Sequence, residues 1–322
     1  MDQLNENGNG ETIEHLTHDQ VDEILNASFS RDEGWLNVDL SGKSIESKYH
    51  FSRADLREGQ FQYGFYPHTK FVHCDLRNAD FSNSSLIGVT FHECDLRGAI
   101  FFRANLSNAR FHGNNNRGVS FHWASMVNTD LSGNIWMEAC FDNAMMHKAD
   151  FKRAETNGTF LDVDAHMVDF RGANLSDSHK NDGKFRHCLF HDAKLRQVWA
   201  ERCIFLNSDF TRADLRGGKF KQSHFNNAYL NKAILNGAGF QGADFDGVKL
   251  DFAAWPLECG SFQVKADDRL VCQLIAHLTR LDLQNCTPRV RDMVENIRPW
   301  ANEFCRYRDD VLEVGADGKP KN

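Results

Sequence analysis

The chain has little of what marks an enzyme, a secreted domain or a membrane protein. Its 322 residues include only five prolines and five tyrosines. No apolar run approaches the roughly eighteen residues that a bilayer-spanning helix needs, so a membrane is not an expected partner. The opening MDQLNENGNGETIEHL is acidic and polar, unlike a signal or transit peptide. Nine cysteines with no CxxC pair fit neither a disulfide framework nor a zinc knuckle, and suit a reducing cytoplasm. HExxH, a Gly-rich phosphate loop and a nucleophile–base pairing are all missing. The expectation is a protein with no catalytic residues, no cofactor and no metal site, hence not an enzyme.

Dense charge of one sign is also missing from most of the chain. The formal charge is −8, with 37 basic and 45 acidic residues. Residues 1–50 hold 3 basic and 11 acidic residues, 51–250 hold 24 and 22, and 251–322 hold 10 and 12. The acidity sits in the N-terminal leader, while the long middle segment is +2. Its bases are interspersed with acids, so nucleic acid is not an expected partner either.

What is abundant is phenylalanine, 26 in all. From Phe51 a large apolar residue recurs at every fifth position, through Leu56, Phe61, Tyr66 and Phe71 to Phe151. The phase then slips back by one near Thr156, resumes at Phe160 and continues to Leu250. Of 41 such centres, Thr156 at the slip included, 32 are Phe or Leu. Neither a helix nor a strand has a period of five, so the signal is an internal repeat. Two positions before each centre the residue is small, as in Ala54, Cys74, Ala79, Ser84 and Cys94. The other three positions are mostly polar. Two inward positions in five describe a narrow filled tube. The string DLR recurs at Asp55, Asp75 and Asp95, twenty residues apart, so four pentads make one turn.

Units such as Ala54-Asp55-Leu56-Arg57-Glu58 and Ala213-Asp214-Leu215-Arg216-Gly217 resemble the A(D/N)LXX consensus of pentapeptide-repeat proteins. The resemblance implies an all-β solenoid, a right-handed quadrilateral β-helix in which each pentad forms one side of a square coil. At about 4.8 Å per coil, ten coils over residues 36–252 would span roughly 48 Å. It also implies one activity, since quinolone-resistance members are acidic rods that mimic DNA and bind gyrase and related topoisomerases. Mimicry needs dense negative charge, and a rod of +2 does not supply it.

Solenoid ends need covering. Within an acidic leader at 1–35, Thr17 reads as the N-cap of a short helix with Leu16, Val21, Ile24 and Leu25 on one side. Residues 253–315 carry two amphipathic stripes. One runs over Leu270, Leu274, Ile275, Leu278 and Leu281. The other is opened by Thr287 and Pro288 and includes Val290, Val294 and Ile297. They are expected to cap the rod, or else to dimerise or dock a partner, and 316–322 to be a disordered tail. This region is similar to tails of bacterial and phage pentapeptide proteins.

Three clusters could carry chemistry. Cys74 and Cys94 stack one turn apart at an inward position, within disulfide range, but read as small core residues. His92 and His112 share an outward column with His73 beside it, with no carboxylate partner apparent. The Asp55, Asp75 and Asp95 column beside Arg57, Arg77 and Arg97 reads as a charge ladder with cross-strand pairing.

The feature that departs from a bland surface is apolar. Ile87, Ile100, Phe102, Trp123, Val127 and Met145 fall at outward positions of two adjacent faces. Trp199, Ile204 and Leu206 fall on the same two faces after the slip. Solvent-facing aromatics in a column suggest a binding patch. The reading is a scaffold or inhibitor that binds a protein, with a topoisomerase-binding DNA mimic as the alternative.

Overall fold

The structure, a computed structural model, describes residues 14–27, 38–45, 48–250, 253, 291–292 and 294–296. Backbone pairing between consecutive coils is parallel throughout. Most contacts are single-residue bridges, one per pentad, because each side of the coil is only one residue longer than its corner. Longer strands form at the fourth side, where β3 (His50–Ser52), β4 (Lys70–Val72), β5 (Thr90–His92) and β6 (Arg110–His112) make one sheet, and again higher on another side, where β7 (Asp164–His166) pairs with β8 (Lys184–Arg186). The fourth-side column continues through Asp130, Asp150, Asp169, Leu189, Asp209 and Tyr229 to Lys249. The first face is the column of Asp55, Asp75 and Asp95, the second that of Gln60, Asp80 and Ile100, the third that of Phe65, Ser85 and Asn105.

The corners explain why five residues suffice. At most of them the amide three residues past the centre donates back to the centre's carbonyl, as Ala79 does to Leu76 at 3.1 Å. The second corner residue has φ near +55 to +60°, as at Glu58, Asn78 and Asn83. This is the geometry of a tight four-residue turn with one left-handed residue, and it carries the chain from one side of the coil to the next. The third corner position must then be small. Thr69 Oγ1 stands there without a partner, and Ser84 and Ser178 donate within their own coil; elsewhere the Ser, Thr or Cys donates to a carbonyl of the preceding coil, as Ser208 Oγ does to Phe185 O at 2.7 Å. That bond keeps a polar atom satisfied inside the tube.

Phenylalanine fills the interior in two stacked columns. On the fourth face Phe51, Phe71, Phe91 and Phe111 stack at 4.7–5.0 Å. On the second face Phe61, Phe81, Phe101, Phe121, Phe141 and Phe160 do the same at 4.6–5.2 Å. The columns meet edge to face, as Phe71 meets Phe81 at 5.7 Å, the favoured arrangement for crossed aromatic quadrupoles. Above Phe160 the second-face column breaks at Lys180 and Ala200. There the aromatics move to the third face, as Phe185, Phe205 and Phe225. Lys180 is fully buried, with Nζ 4.0 Å from the Phe160 ring centroid.

The slip near Thr156 is a shortened corner. Bridges across it span nineteen residues, as from Cys140 to Thr159, where all others on that face from Gln60 onward span twenty. No left-handed residue lies between Arg153 and Asp162, so the deleted residue is the positive-φ one. The Thr156 hydroxyl closes the corner in its place, donating to Trp136 O and accepting from Gly158 N, each at 2.9 Å.

At the N-terminal end, β1 (Glu14–Leu16) pairs with β2 (Lys43–Ile45), and α1 spans His18–Ala27. Thr17 does begin this helix, in a capping box with Gln20: Gln20 N donates to Thr17 Oγ1, and Thr17 N donates to Gln20 Oε1 at 2.8 Å. Leu16 and Val21 are buried in the core, with Ile24 and Leu25 against it. The Leu270–Leu281 stripe and residues 297–322 lie outside the described residues. Of the second expected C-terminal helix, 291–292 and 294–296 are helical.

Candidate functional site

The nine apolar residues expected to form a patch do fall on two adjacent faces, but as two groups. Ile100 and Trp199 share the second-face column, five rungs apart through Ser120, Cys140, Thr159 and His179. At strand spacing that is about 24 Å. The lower group holds Ile100, Phe102, Trp123 and Met145, with Ile87 and Val127 half-buried at the next corner. Trp123 is 52 % exposed at the left-handed corner position. Phe102 is half-buried, with His122 stacked on it at 6.0 Å and the Arg103 guanidinium 5.0 Å from its centroid.

The upper group is more engaged. His179 stacks on Trp199 at 5.6 Å, and the Lys219 ammonium lies 3.3 Å from its ring centroid. Ile204 and Leu206 are half-buried. The exposed apolar residues that the repeat pattern did not single out are Tyr63, Ile135, Met167, Leu189 and Tyr229.

His92 and His112 stack at 5.2 Å with planes 6° apart, as their shared column requires. A carboxylate partner is present after all. Glu93 Oε2 lies 3.1 Å from His73 Nδ1, and Glu93 Oε1 lies 3.7 Å from His92 Nε2. The sequence pattern hides it because Glu93 occupies a corner, not a rung.

The charge ladder pairs within pentads, not mainly across coils. Arg57, Arg77 and Arg97 each reach back two residues to Asp55, Asp75 and Asp95 with two short bonds, such as Arg77 Nε to Oδ1 at 2.8 Å and Nη2 to Oδ2 at 2.6 Å. Contacts to the next coil are 3.8 Å. The same pairing recurs at Asp214, where Arg216 and then Arg196 hold the carboxyl down to a pKa of about 2 against the effect of burial. Each DLR unit is thereby locally neutral.

Among the described residues the first face is opened once. Its bridges run from Asp55 to Asn115 and from Ile135 to Ile234, with none between Asn115 and Ile135, while the other three columns are continuous. The rung bonds seen one coil below, from Leu96 N to Asn115 O and from Asn115 N to Cys94 O, have no counterparts at Asn116 N and Ile135 N. Asn114 and Asn134 occupy the small inward position here, and Asn134 Nδ2 takes the Phe111 carbonyl at 2.8 Å. Asn116 stands at a centre, 1 % exposed, with Oδ1 lacking a partner. The result is an open cleft of about 700 Å³ that Arg117, Glu138 and Ile135 help line. Three asparagines at inward positions were the available sequence signal.

His122, Cys140 and Asp142, on the second face beside Trp123, were also missed. Cys140 stands at an outward rung, where the other described cysteines are inward.

Two models of pentapeptide repeats match the chain, one over residues 68–101 and 101–133, the other over 200–254. No curated protein matches. Among solved structures, HetL, a pentapeptide repeat protein involved in heterocyst differentiation regulation from the cyanobacterium Nostoc sp. strain PCC 7120, is 24% identical. That match covers 67% of this chain and 86% of HetL, with a TM-score of 0.28. QnrB1, a plasmid-mediated fluoroquinolone resistance protein, is 16% identical over 73% of this chain and 99% of its own, with a TM-score of 0.39. No helix among the described residues is long and apolar enough to cross a membrane.

Proposed function

We propose that this chain, a pentapeptide-repeat protein, is a non-catalytic rod that binds a protein partner in the cytoplasm through the second and third faces. The observation that carries this reading is Trp123, half in solvent at a corner and flanked by Ile100, Phe102 and Met145 on a continuous ladder. A large aromatic exposed on a rigid frame loses little conformational entropy on binding, which is what an interface anchor requires. The patch is centred on the lower group, because Trp199 already has His179 and Lys219 on its ring. Helices at the two ends would cap the rod or add a docking or dimerising element.

The DNA-mimic alternative draws no support from the surface. Aspartates of the DLR units are neutralised by arginines two residues away. These units therefore offer no phosphate-like row of unpaired negative charge along the first face.

Affinity purification from the native host with the Trp123→Ala, Phe102→Ala double variant tests the proposal. The partner recovered by the wild type is expected to be lost. Unchanged recovery would sink the patch. A gyrase supercoiling assay separates the two classes: no inhibition is expected, and potent inhibition or protection from quinolone would favour mimicry.

A further inference from the structure

Cys140 departs from the rule that the other described thiols obey. Cys74, Cys94, Cys188 and Cys203 are buried at the small inward position, where they donate to the carbonyls of Phe51, Phe71, Ala165 and Lys180. Cys140 instead holds an outward rung between Ser120 and Thr159. Its Sγ faces His122 Nδ1 at 3.9 Å. An oxygen of Asp142 joins them, and the three donor atoms all lie within 4.8 Å of one another.

The surroundings fix each donor. His122 is stacked on Phe102 with planes 11° apart, which sets the direction of its ring nitrogens. Leu161 N–H donates to Asp142 Oδ1 at 2.8 Å, so that carboxylate is oriented and keeps acceptor capacity. Burial, with the Asp142 carboxylate adding to it, pushes the Cys140 thiol up against the opposing pull of the Asp142 backbone N–H and the Thr159 hydroxyl. Such outer partners hold metal ligands in place and tune them. His122 and Asp142 occupy the same corner position in consecutive coils, so the ladder itself sets their separation.

We propose that His122, Cys140 and Asp142 form a binding site for a borderline divalent cation of the zinc class. The donor set decides the class. One thiolate, one imidazole and one carboxylate suit zinc or cobalt, whereas calcium and magnesium take oxygen ligands. Tetrahedral ligands at about 2.0–2.3 Å from zinc lie roughly 3.3–3.7 Å apart, so closing on the ion needs only small side-chain rotations. Binding releases the thiol proton to solvent. Three protein donors leave a fourth position, for water or for a donor from another molecule. The site stands independently of the partner reading, since it requires only this chain.

The test is a cobalt(II) titration of the full chain. A thiolate-to-cobalt charge-transfer absorption that saturates at one ion and is displaced by zinc is expected. Cys140→Ser and His122→Ala are expected to weaken it at least tenfold. No absorption, or absorption undiminished in Cys140→Ser, overturns the proposal. A second measurement needs no variant: in the wild-type chain, zinc is expected to slow iodoacetamide alkylation of Cys140 at least tenfold, read by peptide mass. An unchanged rate at Cys140 overturns it equally.

Discussion

Lys180 Nζ lies 2.6 Å from Ser178 Oγ, both fully buried inside the coil. An ammonium there has one hydroxyl and the face of Phe160 to replace water. Burial lowers its pKa from 10.5 to about 7, with Cys203 pulling weakly the other way.

This lysine should make stability depend on pH. Between about pH 7 and 10.5 the unfolded chain holds the Lys180 proton and the folded chain does not. Stability from this group therefore rises with pH across that window, at up to about 1.4 kcal/mol per pH unit, and is flat below it. Urea midpoints of Lys180→Met against wild type check this. The variant is expected to be more stable at pH 6, with the difference shrinking by pH 10.

Gly158 should not tolerate a side chain. A Cβ there would lie 2.1 Å from the Ala139 carbonyl oxygen, a backbone atom that cannot swing away. Gly158→Ala is expected to cost about 1–3 kcal/mol, the usual penalty of overpacking, measured by thermal or urea unfolding. A wild-type midpoint would show that the shortened corner is slack.

The opened rung should be both loose and improvable. The Asn116 and Ile135 amides lack the rung bonds that Leu96 and Asn115 make one coil below. Hydrogen exchange at those two amides is expected to be faster than at Leu96 and Asn115. Asn116→Leu removes a buried oxygen that has no partner and is expected to stabilise the chain by about 1 kcal/mol. Loss of stability on that substitution would mean that the asparagine is satisfied in solution.

The sequence by itself determined the coil. A five-residue period with one large and one small inward residue describes a narrow filled tube, and the twenty-residue recurrence of DLR at Asp55, Asp75 and Asp95 sets four pentads per turn. Thr156 and Lys180 were visible as breaks because they violate that period or its chemistry. Tertiary structure decided which exposed residues are free. Trp199 on a rung has His179 stacked on it and the Lys219 ammonium over its ring, whereas Trp123 at a corner meets only the edge contact of His122 and is 52 % exposed. It also decided what meets across coils. Glu93 reaching His73, the break between Asn115 and Ile135, and Cys140 facing His122 all join residues about twenty apart. The repeat fixes which residues share a column. Which way a corner side chain turns, and whether a rung closes, depends on the neighbours it meets once the coils are stacked.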